Sequence, residues 1–229
     1  MNQMARRKFF LVRLLFWMWL FLASGVMLYC QAGPSSVPLI QAIRQGDLNE
    51  ARKILHSGAK INVFDNFGDT PLDAAIRGGN ADIVEDLLSA GADPKFTSPN
   101  GDTALMGAVW QRDLKLAREL LDRGVSVNSA NSRGETALML ASYSGSNGKM
   151  VQMLLDAGAD PNSKASDGFT ALISAARSGD ALAAEKLLKA GADPSVKDKY
   201  GHAAEDDACG RGEKGHAQVC ALLREASRK

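Results

Sequence analysis

Enzymatic chemistry needs a nucleophile, a base or a set of metal ligands at workable spacing, and this chain offers few candidates. Around its three histidines, His56 after a second helix, His202 in a hairpin and His216 in an insertion loop, no arrangement of nucleophile, base and oxyanion donors is readable. The three cysteines, Cys30, Cys209 and Cys220, make no CxxC pair, no Cys/His cluster at metal spacing and no haem-attachment motif. Asp93, Asp160 and Asp193 recur in one context, as repeated cation sites would. Each follows Gly-Ala at the end of a helix, where an aspartate is expected to cap backbone groups instead. The glycines fall at helix ends and turns without P-loop spacing, which removes that nucleotide cradle. These residues point to a non-catalytic chain with no cofactor and no metal site.

Charge and hydropathy separate the N-terminus from the rest. Of the 27 basic and 26 acidic side chains, four basic ones (Arg6, Arg7, Lys8 and Arg13) lie in an acid-free opening, so the remainder carries a net −3 and no electrostatic footprint for nucleic acid. An apolar stretch follows, with no charge from Leu14 to Ser36. Basic then apolar is the layout of a secretory signal peptide or signal anchor over residues 1–32, with 33–36 a short linker. Leu14 to Leu28 covers 15 residues, short of the roughly 20 that span a bilayer comfortably. Cleavage at Ala23-Ser24-Gly25 or Cys30-Gln31-Ala32, retention as an anchor, and a buried helix or misread start all stay open. Positive charge before the apolar run places the remainder outside the cytoplasm whether or not the segment is cut. The expected location is therefore periplasmic or secreted, or anchored to the inner membrane through this segment alone. Arg6-Arg7-Lys8-Phe9-Phe10 resembles a twin-arginine export motif, with an ordinary basic n-region as the plainer reading.

Beyond residue 36 the chain repeats. Gly68, Gly101, Gly134, Gly168 and Gly201 advance in steps of 33, 33, 34 and 33, and Gly58, Gly91, Gly124, Gly158 and Gly191 advance by the same steps. Two landmarks sharing one period identify tandem two-helix units. Each unit opens on a turn such as Asp65-Asn66-Phe67-Gly68, polar first and glycine fourth. Thr70, Thr103, Thr136 and Thr170 follow at capping positions, and Leu72/Ala75, Leu105/Ala108, Leu138/Ala141 and Leu172/Ala175 give the first helix a narrow apolar face. The second helix carries Ile54-Leu55, Leu87-Leu88, Leu120-Leu121, Leu154-Leu155 and Leu187-Leu188 and stops at glycine.

This pattern, G-x-T-x-L-x-x-A then L-L-x-x-G-A-D, resembles the ankyrin repeat over roughly residues 36–229. The resemblance implies an all-α solenoid of stacked helix-turn-helix units with hairpin-like loops. Six repeats are expected, caps included, over about 37–64, 65–97, 98–130, 131–164, 165–197 and 198–229. Asp73, Met106, Met139 and Ile173 replace the family's histidine and are expected to lose a capping hydrogen bond. One residue is inserted near Ser146-Asn147-Gly148, and a longer excursion runs from Gly210 to Gly215. In the last unit Glu205 takes the core leucine position with Asp206-Asp207 after it, so that helix is expected to face water.

For function the resemblance implies a module, monomeric in itself, that binds another protein through hairpin residues and the ends of the first helices, on the concave face of the stack. Carried onto this sequence, those positions are Asp69, Asp102, Glu135 and Phe169 after the hairpin glycines, and Arg44, Arg77, Trp110, Tyr143 and Arg177 late in the first helices, with Phe67 and Phe169 near hairpin tips. Exposed aromatics beside arginines are the residue types that dominate interface energetics. The alternative is a membrane-tethered scaffold or spacer for an envelope complex. Cys209 and Cys220 lie on the two helices of the final cap, either bridged or as buried free thiols.

Overall fold

Four first helices begin where a threonine hydroxyl takes over a backbone N–H that the helix cannot bond itself. Thr70, Thr103, Thr136 and Thr170 hold extended backbone, and their hydroxyls accept from the N–H groups of Asp73, Met106, Met139 and Ile173. The computed structural model describes residues 37–145, 148–210 and 214–228. The signal or anchor reading of residues 1–32, the linker and Cys30 lie outside these described residues, as do Ser146 and Asn147 of the insertion.

The described residues form twelve helices and no strand. They pair as α1 (Val37–Gln45) with α2 (Leu48–His56), α3 (Pro71–Arg77) with α4 (Ala81–Ser89), and α5 (Ala104–Trp110) with α6 (Leu114–Asp122). The series continues as α7 (Ala137–Tyr143) with α8 (Lys149–Asp156), α9 (Ala171–Ser178) with α10 (Ala181–Lys189), and α11 (Ala204–Cys209) with α12 (Lys214–Ala226). This all-α stack is the ankyrin solenoid expected from the sequence. No described helix is long and apolar enough to cross a membrane.

The first helices pack in one unbroken row, α1 on α3 and so on to α11. Leu39, Leu72, Leu105, Leu138 and Leu172 are at most 3% exposed, and Ala75, Ala108, Ala141 and Ala175 beside them are fully buried. Alanine lets neighbouring backbones approach, while each leucine fills the space between units and would cost about 2–5 kcal/mol if cut to alanine. Leu87, Leu120, Leu154 and Leu187 complete the core from the second helices. After α4 the chain leaves through Gly91 at φ 95°, a left-handed conformation that glycine adopts without strain.

Polar bonds then tie unit to unit. Asn62, Asn128 and Asn162 each donate from Nδ2 to the carbonyl of the next unit's glycine (Gly91, Gly158, Gly191) and accept at Oδ1 from the N–H of Asp93, Asp160 or Asp193. Those aspartates in turn accept from the N–H two residues on, at Lys95, Asn162 and Ser195. They are structural, as expected, but they hold the turn after the helix and not the helix end itself. The hairpins are tied separately: Ser132, Ser166 and Lys199 donate their N–H to Asn100, Arg133 and Asp167 carbonyls at 2.7–2.8 Å. One junction, between the units that start at Asp65 and Ser98, has neither device. Lys95 stands at the clamp position, and Pro99, which has no N–H, stands at the hairpin position. Gln111 Nε2 donates to the Arg77 carbonyl across it at 2.7 Å, whereas the stacked Phe64 and Phe96 rings, 4.8 Å apart, join the first unit to the second.

Four expectations need correction. Asp73 keeps a helix cap, because its Oδ2 accepts from the Thr70 N–H and hydroxyl at 3.0 and 2.8 Å. Met106, Met139 and Ile173 are buried and make the stack alone. His216 is not in a loop: α12 begins at Lys214, so the excursion ends before Gly215, and His216 packs in the core with Nε2 3.1 Å from the Arg177 carbonyl. The last first-helix does not simply face water. Ala204 and Ala208 are buried and Asp207 pairs inward with Arg177, because the two alanine positions of the repeat are kept, while Glu205 at the leucine position pairs with Arg224 of α12. Cys209 and Cys220 are joined as a disulfide between α11 and α12, across a sequence separation of 11.

The unclamped junction gives a stability test. In Lys95→Asn the amide should reach the Gly124 carbonyl and the Ser126 N–H as its counterparts do, and raise the unfolding free energy by about 1 kcal/mol in urea titrations. The reverse change, Asn128→Lys, should lower it by a similar amount. No change in either variant would show that the clamps do not stabilise the stack.

Candidate functional site

One face of the stack is made of the hairpins and the first helices, and the candidate residues fall on it at three levels. At the tips, Phe67 is 79% exposed. One step in, after each glycine, come Asp69, Asp102, Glu135 and Phe169. At the ends of the first helices come Arg44, Arg77, Trp110, Tyr143 and Arg177.

The charged members are engaged with each other. Asp69 is 5% exposed and bonds both Arg44 and Arg77, the latter at 2.8 Å, while Arg44 also reaches Asp65 at 2.6 Å. Burial pushes the Asp65 carboxyl up, but the N–H groups of Asp69 and Phe67, with the Arg44 charge, carry it below its ordinary 3.8. The Arg44 guanidinium lies 5.0 Å from the Phe67 ring centre. In the middle of the face Asn131 Nδ2 donates to Asp102 Oδ1 and Glu135 Oε2, and Arg133 pairs with Glu135 at 2.6 Å. At the far end Arg177 covers Phe169 at 4.3 Å and pairs with Asp207 at 3.3 Å.

Between the near and far charged groups stand the aromatics. Trp110 and Tyr143, at equivalent positions one repeat apart, are 56% and 54% exposed. A groove of about 360 Å³ opens beside Trp110, at the junction that lacks the asparagine clamp and the hairpin bond. Phe67, Arg77, Asp73 and Asp102 wall it, with Gly107 beneath. In the next unit Leu140 occupies the position of Gly107 and is buried. Burial pushes the Asp73 carboxyl up against the opposing hydrogen bonds from Thr70.

The sequence placed most candidates on this face but misjudged some. Phe169 is not presented like Phe67: it follows its hairpin glycine, and half-buried under Arg177 it packs on the core. Three contributors were passed over. Tyr200, 68% exposed, shares the tip position of Phe67, a register the repeat alignment already contained. Asp73 and Gly107 line the groove, and the visible signal was an unusual residue at a repeat position. Gly210, Gly212 and Gly215 also match G-x-G-x-x-G, but they follow helix α11 and not a strand, so the dinucleotide-binding context is missing. Among the described residues no His, Cys, Asp and Glu group is arranged to hold a metal.

Comparison with protein families gives matches to ankyrin repeats (3 copies) at residues 18–98, 39–131, 79–165 and 105–198. The chain belongs to the ankyrin-repeat family. No curated protein matches it. Ankyrin repeats are in general protein–protein interaction modules and are typically non-catalytic, which directs attention to the face just described.

The anchored hairpin carboxylates predict an acid response. Asp65 and Asp198 are held below their ordinary 3.8 in the folded protein but not in the unfolded chain. Their stabilisation is complete above 3.8 and is lost as pH falls through the lower folded values, because the unfolded state protonates first. Asp73, held higher, acts in the opposite sense. Asparagine serves the same turn at Asn131, so Asp65→Asn/Asp198→Asn should fold and should lose less unfolding free energy than wild type between about pH 6 and about pH 3. Parallel acid limbs would show that the two carboxylates do not contribute.

Proposed function

We propose that this protein is an exported, non-catalytic ankyrin-repeat module that binds a protein partner through the concave face formed by its hairpins and first helices. The observation that carries the reading is the pair Trp110 and Tyr143, more than half exposed at equivalent positions and flanked by arginines already paired with carboxylates. Isolated rings of this size in water favour an occupant that desolvates them, and such aromatics are enriched among residues that dominate binding energy. Export draws its support from the basic-then-apolar N-terminus, and the Cys209–Cys220 bridge suits an oxidising compartment. The partner has no surface written into the chain beyond this face. The protein acts as a monomer and meets the membrane only through a retained N-terminal segment.

Recovery of partner from the native envelope by Trp110→Ala/Tyr143→Ala should fall at least about tenfold against wild type, the loss expected when two aromatic anchors are removed. Equal recovery would contradict the concave face. Protease added to spheroplasts should degrade the repeats of an exported chain; protection until lysis would contradict export.

A further inference from the structure

The groove beside Trp110 has a charge balance that names its occupant, given the concave-face reading above. Arg77 lines it and Arg44 lies beyond Asp69, but Arg44 is held by Asp65 and Asp69, and Arg77 by Asp69. With two positive charges set against two negative ones, the remaining carboxylates are Asp73 and Asp102, and both line the groove. Asp102 Oδ1 accepts from Asn131 at 3.0 Å, while Oδ2 accepts no hydrogen bond among the described residues. Trp110 lines the same groove, and an indole face is the best aromatic surface for a cation.

Three local departures from the repeat meet at this junction, and one of them, Gly107, lines the cavity. Pro99 removes the hairpin hydrogen bond found at the next three junctions, and Lys95 removes the asparagine clamp. Gly107 removes the side chain that Leu140 supplies one repeat on, at a cost of about 0.5–1 kcal/mol for glycine within a helix. A Cβ at Gly107 would stand 3.0 Å from Ile76 Cγ2, so even alanine crowds this floor. At about 360 Å³ the groove lies at the small end of ligand sites, which run from about 300 to 1,000 Å³. That suits one long side chain and not a folded surface.

We infer that this groove receives a lysine or arginine side chain of the partner protein, its cation held between the Trp110 ring and the carboxylates of Asp102 and Asp73. An acidic segment drawn to Arg44 and Arg77 is the opposite case, and those arginines are already paired.

The full-length chain carries Trp17, Trp19 and Trp110, so its indole N–H spectrum has three signals, and Trp110→Phe assigns the one of interest. Titration with acetyl-Gly-Arg-Gly-amide should move the Trp110 signal saturably, whereas the citrulline and glutamate peptides should leave it in place. Asp102→Asn, which retains an acceptor for Asn131, should weaken the arginine response about tenfold, as should Gly107→Ala by narrowing the floor. An equal response to citrulline, a stronger response to glutamate, or none to arginine would overturn the inference. If those peptides fail while Trp110→Ala/Tyr143→Ala still loses the partner, the cation preference is wrong and the concave-face reading stands. If the double variant retains the partner, the broader reading fails first.

Discussion

No unit of this chain can bury its own apolar face, and that constraint shapes the rest of the structure. A helix pair of fewer than twenty residues leaves Leu72 or Leu105 half covered until the next unit stacks on it. The leucine and alanine positions are therefore fixed by neighbours of the same design. The hairpins and helix ends project away from that stack and are free to differ. Recognition can then be written at positions where Arg77, Trp110 and Tyr143 replace one another without disturbing the core.

The stack was legible in the sequence because it rests on local chemistry that repeats. Thr103 caps, Leu105 packs, Ala108 admits its neighbour and Gly124 stops the second helix, each within one unit. Contacts that depend on two or three units together were not legible. Asp69 reads as a free acid after a glycine, yet it is buried by Arg44 from the unit before and Arg77 from its own. Phe169 reads as a tip aromatic and is covered by Arg177. His216 reads as a loop residue because glycines on both sides of the final excursion conceal where α12 starts. Asp73 retained its cap because a carboxylate substitutes for histidine there, a replacement that methionine and isoleucine cannot make.

Ion pairing sorts the face into parts that hold themselves and parts that await something else. Partly exposed pairs such as Arg133–Glu135 contribute little stability individually, about 0–1 kcal/mol. Their effect is to occupy charges that would otherwise attract partners of either sign. What remains is Trp110 and Tyr143, exposed rings with no cation over them among the described residues, unlike Phe67 and Tyr200, and a shallow groove at the junction where Pro99 and Lys95 have removed the hairpin bond and the clamp. The groove and the two missing inter-unit devices thus fall at the same junction.

Site-specific photo-crosslinking in the native envelope tests the central claim most directly. A photoreactive residue in place of Tyr143 faces the proposed partner, and one in place of exposed Arg118 on α6 samples the second-helix side. The account predicts a discrete adduct with another protein from position 143 and none from position 118. Adducts from position 118 alone, or equally from both, would contradict binding through the hairpin and first-helix face.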